Sequence, residues 1–332
     1  MKCSGLFLFL LCLFLGARLA GEEPAPKLLI AFASYRERLD GPNIYFYEHD
    51  GVANGKVVGM VPHVSQGGRQ QYTQPSLSRD GRLCAFSLQP ITDGVTPTLV
   101  KLWDRTERKL IDLPGLNTVH SQMSPSLSGN GQLLAFEAWT RPGSRPGWHV
   151  FLYDRTSKQL LDLPDLNSAS AHEQKPALSG PGRFLAFTSN RKGGVGLTDI
   201  YLYDRQESKL IALPELNSKH MDSQPSVSED GNLIAFASDR PGAGIGRHIY
   251  LFDRARGKLV PLPGLNSAGQ EHSPSLSPDG RFLAFVSERL GGEGERDIYL
   301  YDRQTEKLLP TPGLNSPKDD FDPCVIVLKT EE

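Results

Sequence analysis

Cysteine is scarce: four in 332 residues, with Cys3 and Cys12 among the first twenty and only Cys84 and Cys324 beyond them. That excludes a disulfide-stapled scaffold. Charge of one sign is also missing, with 36 Lys and Arg against 38 Asp and Glu for a net −2. A basic nucleic-acid-binding domain is thereby excluded, since such domains carry a clear positive excess. The longest apolar run, Leu6–Leu15, falls well short of the ~20 residues a membrane-spanning helix needs. No Asn-x-Ser/Thr acceptor occurs, and no segment reads as an amphipathic helix of useful length. The His-Glu-x-x-His, Cys-x-x-Cys, Gly-x-Ser-x-Gly, EF-hand and P-loop patterns are absent. The Gly242-Ala243-Gly244-Ile245-Gly246 stretch has the wrong glycine spacing for a nucleotide loop and no helix to follow it.

What is present begins with a leader. Lys2, the apolar run and the small residues Gly16, Ala17 and Ala20 read as a secretory signal peptide over residues 1–20. Its removal takes Lys2 and Arg18 with it and moves the formal charge from −2 to −4. The mature chain is expected to be exported, periplasmic or secreted, with no membrane span. Residues 27–328 read as one domain and 329–332 as a short tail.

Glycine and proline are plentiful, at 33 and 25 residues, and their positions are periodic. Pro-Ser-Leu-Ser or a close variant starts at Pro75, Pro125, Pro176, Pro225 and Pro274, and the same register reaches Pro323. A repeat of about fifty residues is the mark of a solenoid or propeller. Each unit reads as four strands. Strand a carries the proline, and an Asp-Gly or Asn-Gly type turn follows. Strand b is a continuous apolar run such as Phe282–Phe285, buried on both faces. Strand c is rich in Ile and Tyr, and strand d opens on Lys in most units, a charge that suits an outer edge. Five full units give twenty strands. Residues 28–34, 43–48 and 56–62 supply three more, and 323–328 a last strand a. The expected fold is all-β: a six-bladed β-propeller of four antiparallel strands per blade, closed by the C-terminal strand completing the N-terminal blade.

Residues 274–285, with Ser287, Arg289 and Asp297-Ile298-Tyr299, resemble the propeller repeat of the TolB family, and residues 225–253 repeat the pattern. The resemblance covers 27–328 and concerns the propeller alone, without the N-terminal domain through which TolB takes part in the Tol–Pal envelope system. It implies a periplasmic propeller that acts by recognition.

Candidate site residues follow from breaks in the repeat. Three residues before the strand-a proline stand Glu173, Asp222, Glu271 and Asp320, and four after the strand-b phenylalanine stand Arg191, Arg240, Arg289 and Arg36. Both occur in the same four blades, so structural acid–arginine pairs are expected in each. In blades 2 and 3, Tyr72 and Gln122 replace the acid, and the b–c connections are long. The second of these carries Trp139, Arg141, Arg145 and Trp148, a composition suited to binding another protein or a sugar. Tyr72, Gln122, Trp139, Arg141, Arg145 and Trp148 are therefore the candidate binding residues. His120, His172, His220 and His272 keep no common register and read as solvated loop histidines rather than metal ligands. No metal or other cofactor and no catalytic set is expected. Cys84 and Cys324 read as two buried free thiols.

The function these observations imply is a non-enzymatic, monomeric scaffold for recognising an envelope or extracellular protein, or a carbohydrate, with no role for nucleic acid. The alternative is a propeller hydrolase or lyase acting on carbohydrate or peptide at the channel mouth.

Overall fold

The computed structural model describes residues 25–328, apart from 38–40, 63–68, 95, 117–119, 141–145, 243 and 245. The proposed signal peptide, the tail, Arg141 and Arg145 lie outside the described residues.

Twenty-four strands form six four-stranded antiparallel sheets. Blade 1 joins Leu28–Ser34 (β1), Asn43–His49 (β2) and Gly55–Met60 (β3) to the last strand. Blade 2 holds Arg69–Leu77 (β4), Leu83–Ile91 (β5), Leu99–Asp104 (β6) and Lys109–Ile111 (β7), and blade 3 holds Gln122–Leu127 (β8), Leu133–Thr140 (β9), Gly147–Asp154 (β10) and Gln159–Leu161 (β11). Blade 4 runs through Glu173–Leu178 (β12), Phe184–Ser189 (β13), Asp199–Asp204 (β14) and Lys209–Ile211 (β15). Blade 5 comprises Asp222–Val227 (β16), Leu233–Ser238 (β17), His248–Asp253 (β18) and Lys258–Val260 (β19). Blade 6 comprises Glu271–Leu276 (β20), Phe282–Ser287 (β21), Asp297–Asp302 (β22) and Lys307–Leu309 (β23), and Asp320–Val327 (β24) then pairs with β1 to close the ring. No helix among the described residues is long and apolar enough to cross a membrane.

The apolar runs of strand b are buried throughout because their two faces serve different neighbours. Leu29 and Ala31 pack with Tyr72, Cys84 and Phe86 of blade 2, while Leu28, Ile30 and Phe32 pack with Phe282, Ala284 and Leu300 of blade 6. The core is thus divided into layers between adjacent blades, and no blade has a core of its own.

Strand a begins three residues ahead of its proline in five blades and six ahead in blade 2, rather than at it. The proline sits within the innermost strand, on the edge that faces the channel, where a missing N–H breaks no ladder. The next residue ties blades together. Ser76, Ser126, Ser226 and Ser275 accept through Oγ from the backbone N–H of Leu127, Leu178, Leu276 and Val325 at 2.9 Å each. In blade 1 Cys324 takes this place and accepts from Leu77 N at 3.3 Å; in blade 4 the residue is Ala177, which has no acceptor. The last Ser of the motif accepts from the first residue of strand b, as Ser179 does from Phe184 N at 3.0 Å. Cys84 is buried and Cys324 half-buried, both as free thiols, and burial pushes the Cys324 thiol up to about 11.

Candidate functional site

The four acid–arginine pairs are formed. Arg36, Arg191, Arg240 and Arg289 reach Asp320, Glu173, Asp222 and Glu271 at 2.9, 3.1, 2.7 and 3.5 Å. Each guanidinium lies over two aromatic rings, Arg240 over Phe236 and Tyr250 for example, and donates to the carbonyl of a leucine in the preceding d–a connection. All four acids are fully buried, and each arginine joins its own blade to the connection that enters it.

Two candidate binding residues are corrected. Tyr72 is fully buried, stacked on Phe86 with its hydroxyl donating to Gln70, and Gln122 is buried too. Both occupy the place of the buried acids, so losing the charge there exposes nothing. Trp139 and Trp148 are half-buried and lie directly opposite one another on β9 and β10, not on a long loop. Their rings meet edge to face with centroids 5.6 Å apart, and Trp139 stacks on His172 at 6.2 Å. His220 is exposed as expected and His120 and His172 are partly exposed, but His272 departs from the expectation. His272 lies in β20 with a mostly buried side chain, held by burial and by Arg247 and Arg296 at a pKa of about 4 instead of 6.5.

The feature missed in the sequence is a ring one residue before each strand-a proline: Gln74, Ser124, Lys175, Gln224, Ser273 and Asp322. All six have φ between 50° and 56°, the left-handed region in which a side chain costs about 1 kcal/mol or more. Proline disfavours the right-handed helical region for its predecessor, and a β-bulge at each of these places shifts the pairing of strands a and b. With their prolines, these six residues line the mouth of the channel at the end where d–a and b–c connections gather, a space of about 130 Å³.

The mouth is ordered by hydrogen bonds. Gln74 accepts from Ser87 Oγ at 2.9 Å and Ser124 N at 3.1 Å, and Gln224 accepts from Ser273 N at 3.0 Å. Glu137, fully buried beneath it, accepts from Ser124 Oγ at 2.5 Å and from Lys175 N at 3.3 Å. Lys175 Nζ donates to Ser124 Oγ at 3.1 Å and stands 4.0 Å from Glu137. Asp322 accepts from Gln74 N at 3.2 Å, and burial pushes its carboxyl above the usual range. No group of three or more His, Cys, Asp or Glu among the described residues could hold a metal ion.

The opposite mouth is closed differently. Backbone hydrogen bonds run from Arg79 N to Gly129 O, Gly129 N to Gly180 O, Gly180 N to Glu229 O and Glu229 N to Pro278 O. Across this ring Arg79 of blade 2 pairs with Glu229 of blade 5.

No protein-family model matches the chain, and no curated protein matches its sequence. Solved structures share the fold. TolB from Acinetobacter baumannii is 16% identical with a TM-score of 0.61, over 92% of this chain and 67% of that one. A putative TolB from Agrobacterium tumefaciens is 17% identical with a TM-score of 0.54, over 91% and 99% of the two chains. An oligogalacturonate lyase in complex with manganese is 14% identical with a TM-score of 0.50, over 87% and 74%. The chain has a TolB-like six-bladed propeller fold, and a fold of this kind serves unrelated chemistries.

Proposed function

We propose that the protein is an exported, non-enzymatic recognition scaffold whose ligand site is the loop-side mouth of the channel. The observation that carries this reading is the ring of six residues that bulges hold in left-handed backbone at that mouth. Bulges that re-aim side chains and strained backbone both cluster at binding sites. The surrounding face supports the same reading. Val195 and Leu197 on the b–c connection of blade 4 are 61% and 74% exposed, and Leu290 on that of blade 6 is fully exposed. The Trp139–Trp148 pair stands at the same end of blade 3, where half-buried aromatics suit a contact with a protein or a sugar. The alternative of a hydrolase or lyase would need convergent acid and base groups free to act. At this mouth Glu137 is engaged by Ser124 and Lys175, leaving Asp322 as the one acid of the ring itself.

The test is capture of binding partners from the envelope or medium of the native host. Wild-type protein is compared with Ser273→Trp, which fills the mouth, and with Glu229→Ala at the far end. Loss of a partner with the first variant alone supports the reading. Equal capture by all three, with all three folded, overturns it.

A further inference from the structure

The six mouth residues come in opposed pairs. In a six-bladed ring, blades three apart face each other across the axis, so Gln74 faces Gln224, Ser124 faces Ser273, and Lys175 faces Asp322. Two pairs are identical residues; the third is a cation and an anion. At the other mouth the corresponding opposed charges, Arg79 and Glu229, touch. Lys175 and Asp322 act on each other through space, but among the described residues no ion pair within 4.0 Å joins them. One end of the channel is latched by its own charges, and the other holds its charges apart.

We infer that this mouth is a receptor site for a small zwitterion of the free α-amino acid class, its ammonium on Asp322 and its carboxylate on Lys175. The inference rests on the reading of this mouth as the recognition site and names the ligand class. Charge complementarity supports it on both sides. Asp322 accepts from Gln74 N, and burial raises its carboxyl although Lys175 and Arg296 act on it from a distance and oppose the rise. A ligand ammonium supplies a counter-ion in contact through a charge-assisted hydrogen bond. Of the three protons on Lys175 Nζ, one goes to Ser124 Oγ; Glu137 lies at the limit of contact, 4.0 Å away. The side chain is 36% exposed, so the remaining donors can meet a carboxylate from the channel side. The hydroxyls of Ser124 and Ser273 and the amides of Gln74 and Gln224 line the space between the charges, so the ligand's polar atoms are not stranded. About 130 Å³ suits a compact molecule and excludes a folded domain from entering.

Calorimetric titration and NMR of the mature protein with three probes test the inference: L-alanine carries both charges, ethylammonium only the positive one and propionate only the negative one. Saturable binding of alanine, at least about tenfold tighter than either single-charge probe, is the expected result, since each added charged contact is worth about a factor of ten or more. Asp322→Asn and Lys175→Met, with melting curves checked against wild type, should each remove that preference, and Arg79→Ala should leave it intact. No saturable alanine binding, or equal binding of alanine and ethylammonium, overturns the inference. If Ser273→Trp still blocks capture of a host partner in that case, the mouth remains the recognition site and only the ligand class is wrong.

Discussion

Arg36 and Asp320, 284 positions apart in the chain, form an ion pair at 2.9 Å across the seam where the ring closes. Asp320 is fully buried and also accepts from Ser316 N and Oγ at 2.7 and 2.9 Å, so removing the arginine strands a buried charge. Arg36→Met is expected to cost about 3–5 kcal/mol, measured by urea unfolding, the usual loss when one partner of a buried pair is removed. Glu207→Ala, which breaks an exposed pair with Lys209, should leave the midpoint unchanged. Similar midpoints for the two variants would show that the seam does not depend on this contact.

The serine that follows the strand-a proline makes a second prediction. Ala177 stands where four blades place an Oγ acceptor for the next blade's backbone N–H. Ala177→Ser should stabilise the fold by about 1 kcal/mol, the net value of one hydrogen bond. Cys324→Ser should be neutral or stabilising for the same reason, because oxygen accepts better than sulfur. A loss of stability in both variants would mean that packing rather than hydrogen bonding selects the small residue.

Turn chemistry gives a third. In the d–a connections a turn closes from Leu216 N to Leu213 O at 3.3 Å, with Pro214 first and Glu215 second of its central residues. Glu215 has φ 68°, where the sister turns place Gly115, Gly264 and Gly313 at 81°, 73° and 72°. A type II turn wants glycine there. Glu215→Gly should raise the melting temperature, with a gain of up to about 1 kcal/mol after the entropic cost of glycine is subtracted.

His272 sets a pH dependence. Its folded pKa is about 4 against 6.5 for a free side chain, lowered first by burial. A depressed histidine favours the neutral folded form, so its contribution is fully present above pH 6.5 and is lost as pH falls toward 4. The difference in stability between wild type and His272→Gln should therefore change by up to about 3 kcal/mol across that interval. Asp104 and Asp204, held below the usual range by Arg82 and Arg183, lose stability at lower pH in both proteins, so the difference curve isolates the histidine. Parallel curves would assign the acid sensitivity to other groups.

Blade number and ring closure were legible in the chain because proline keeps its register from Pro75 to Pro323, and counting strands leaves one over at the end. The acid–arginine pairs were legible because both partners vary together from blade to blade. The mouth was not, since Gln74, Ser124, Lys175, Gln224, Ser273 and Asp322 share no residue type. They share a backbone conformation, which a single sequence shows only as the position before proline. Tyr72 and Gln122 misled for a related reason: a polar or aromatic residue replacing an acid looks like surface variation, yet the site is buried whichever residue fills it.

Closure by β24 also governs timing. β1 is the first of the described strands to be synthesised and β24 the last, so the inner edge of β1 waits for a partner while five blades form between them. Until Asp320–Val327 arrives, the layer joining blades 1 and 2 lacks Ile326 and the channel lacks one wall. Folding of the ring is therefore gated on the far end of the propeller. A chain cut short before that strand would display an unfilled apolar slot, which a protease or chaperone can read as incompleteness.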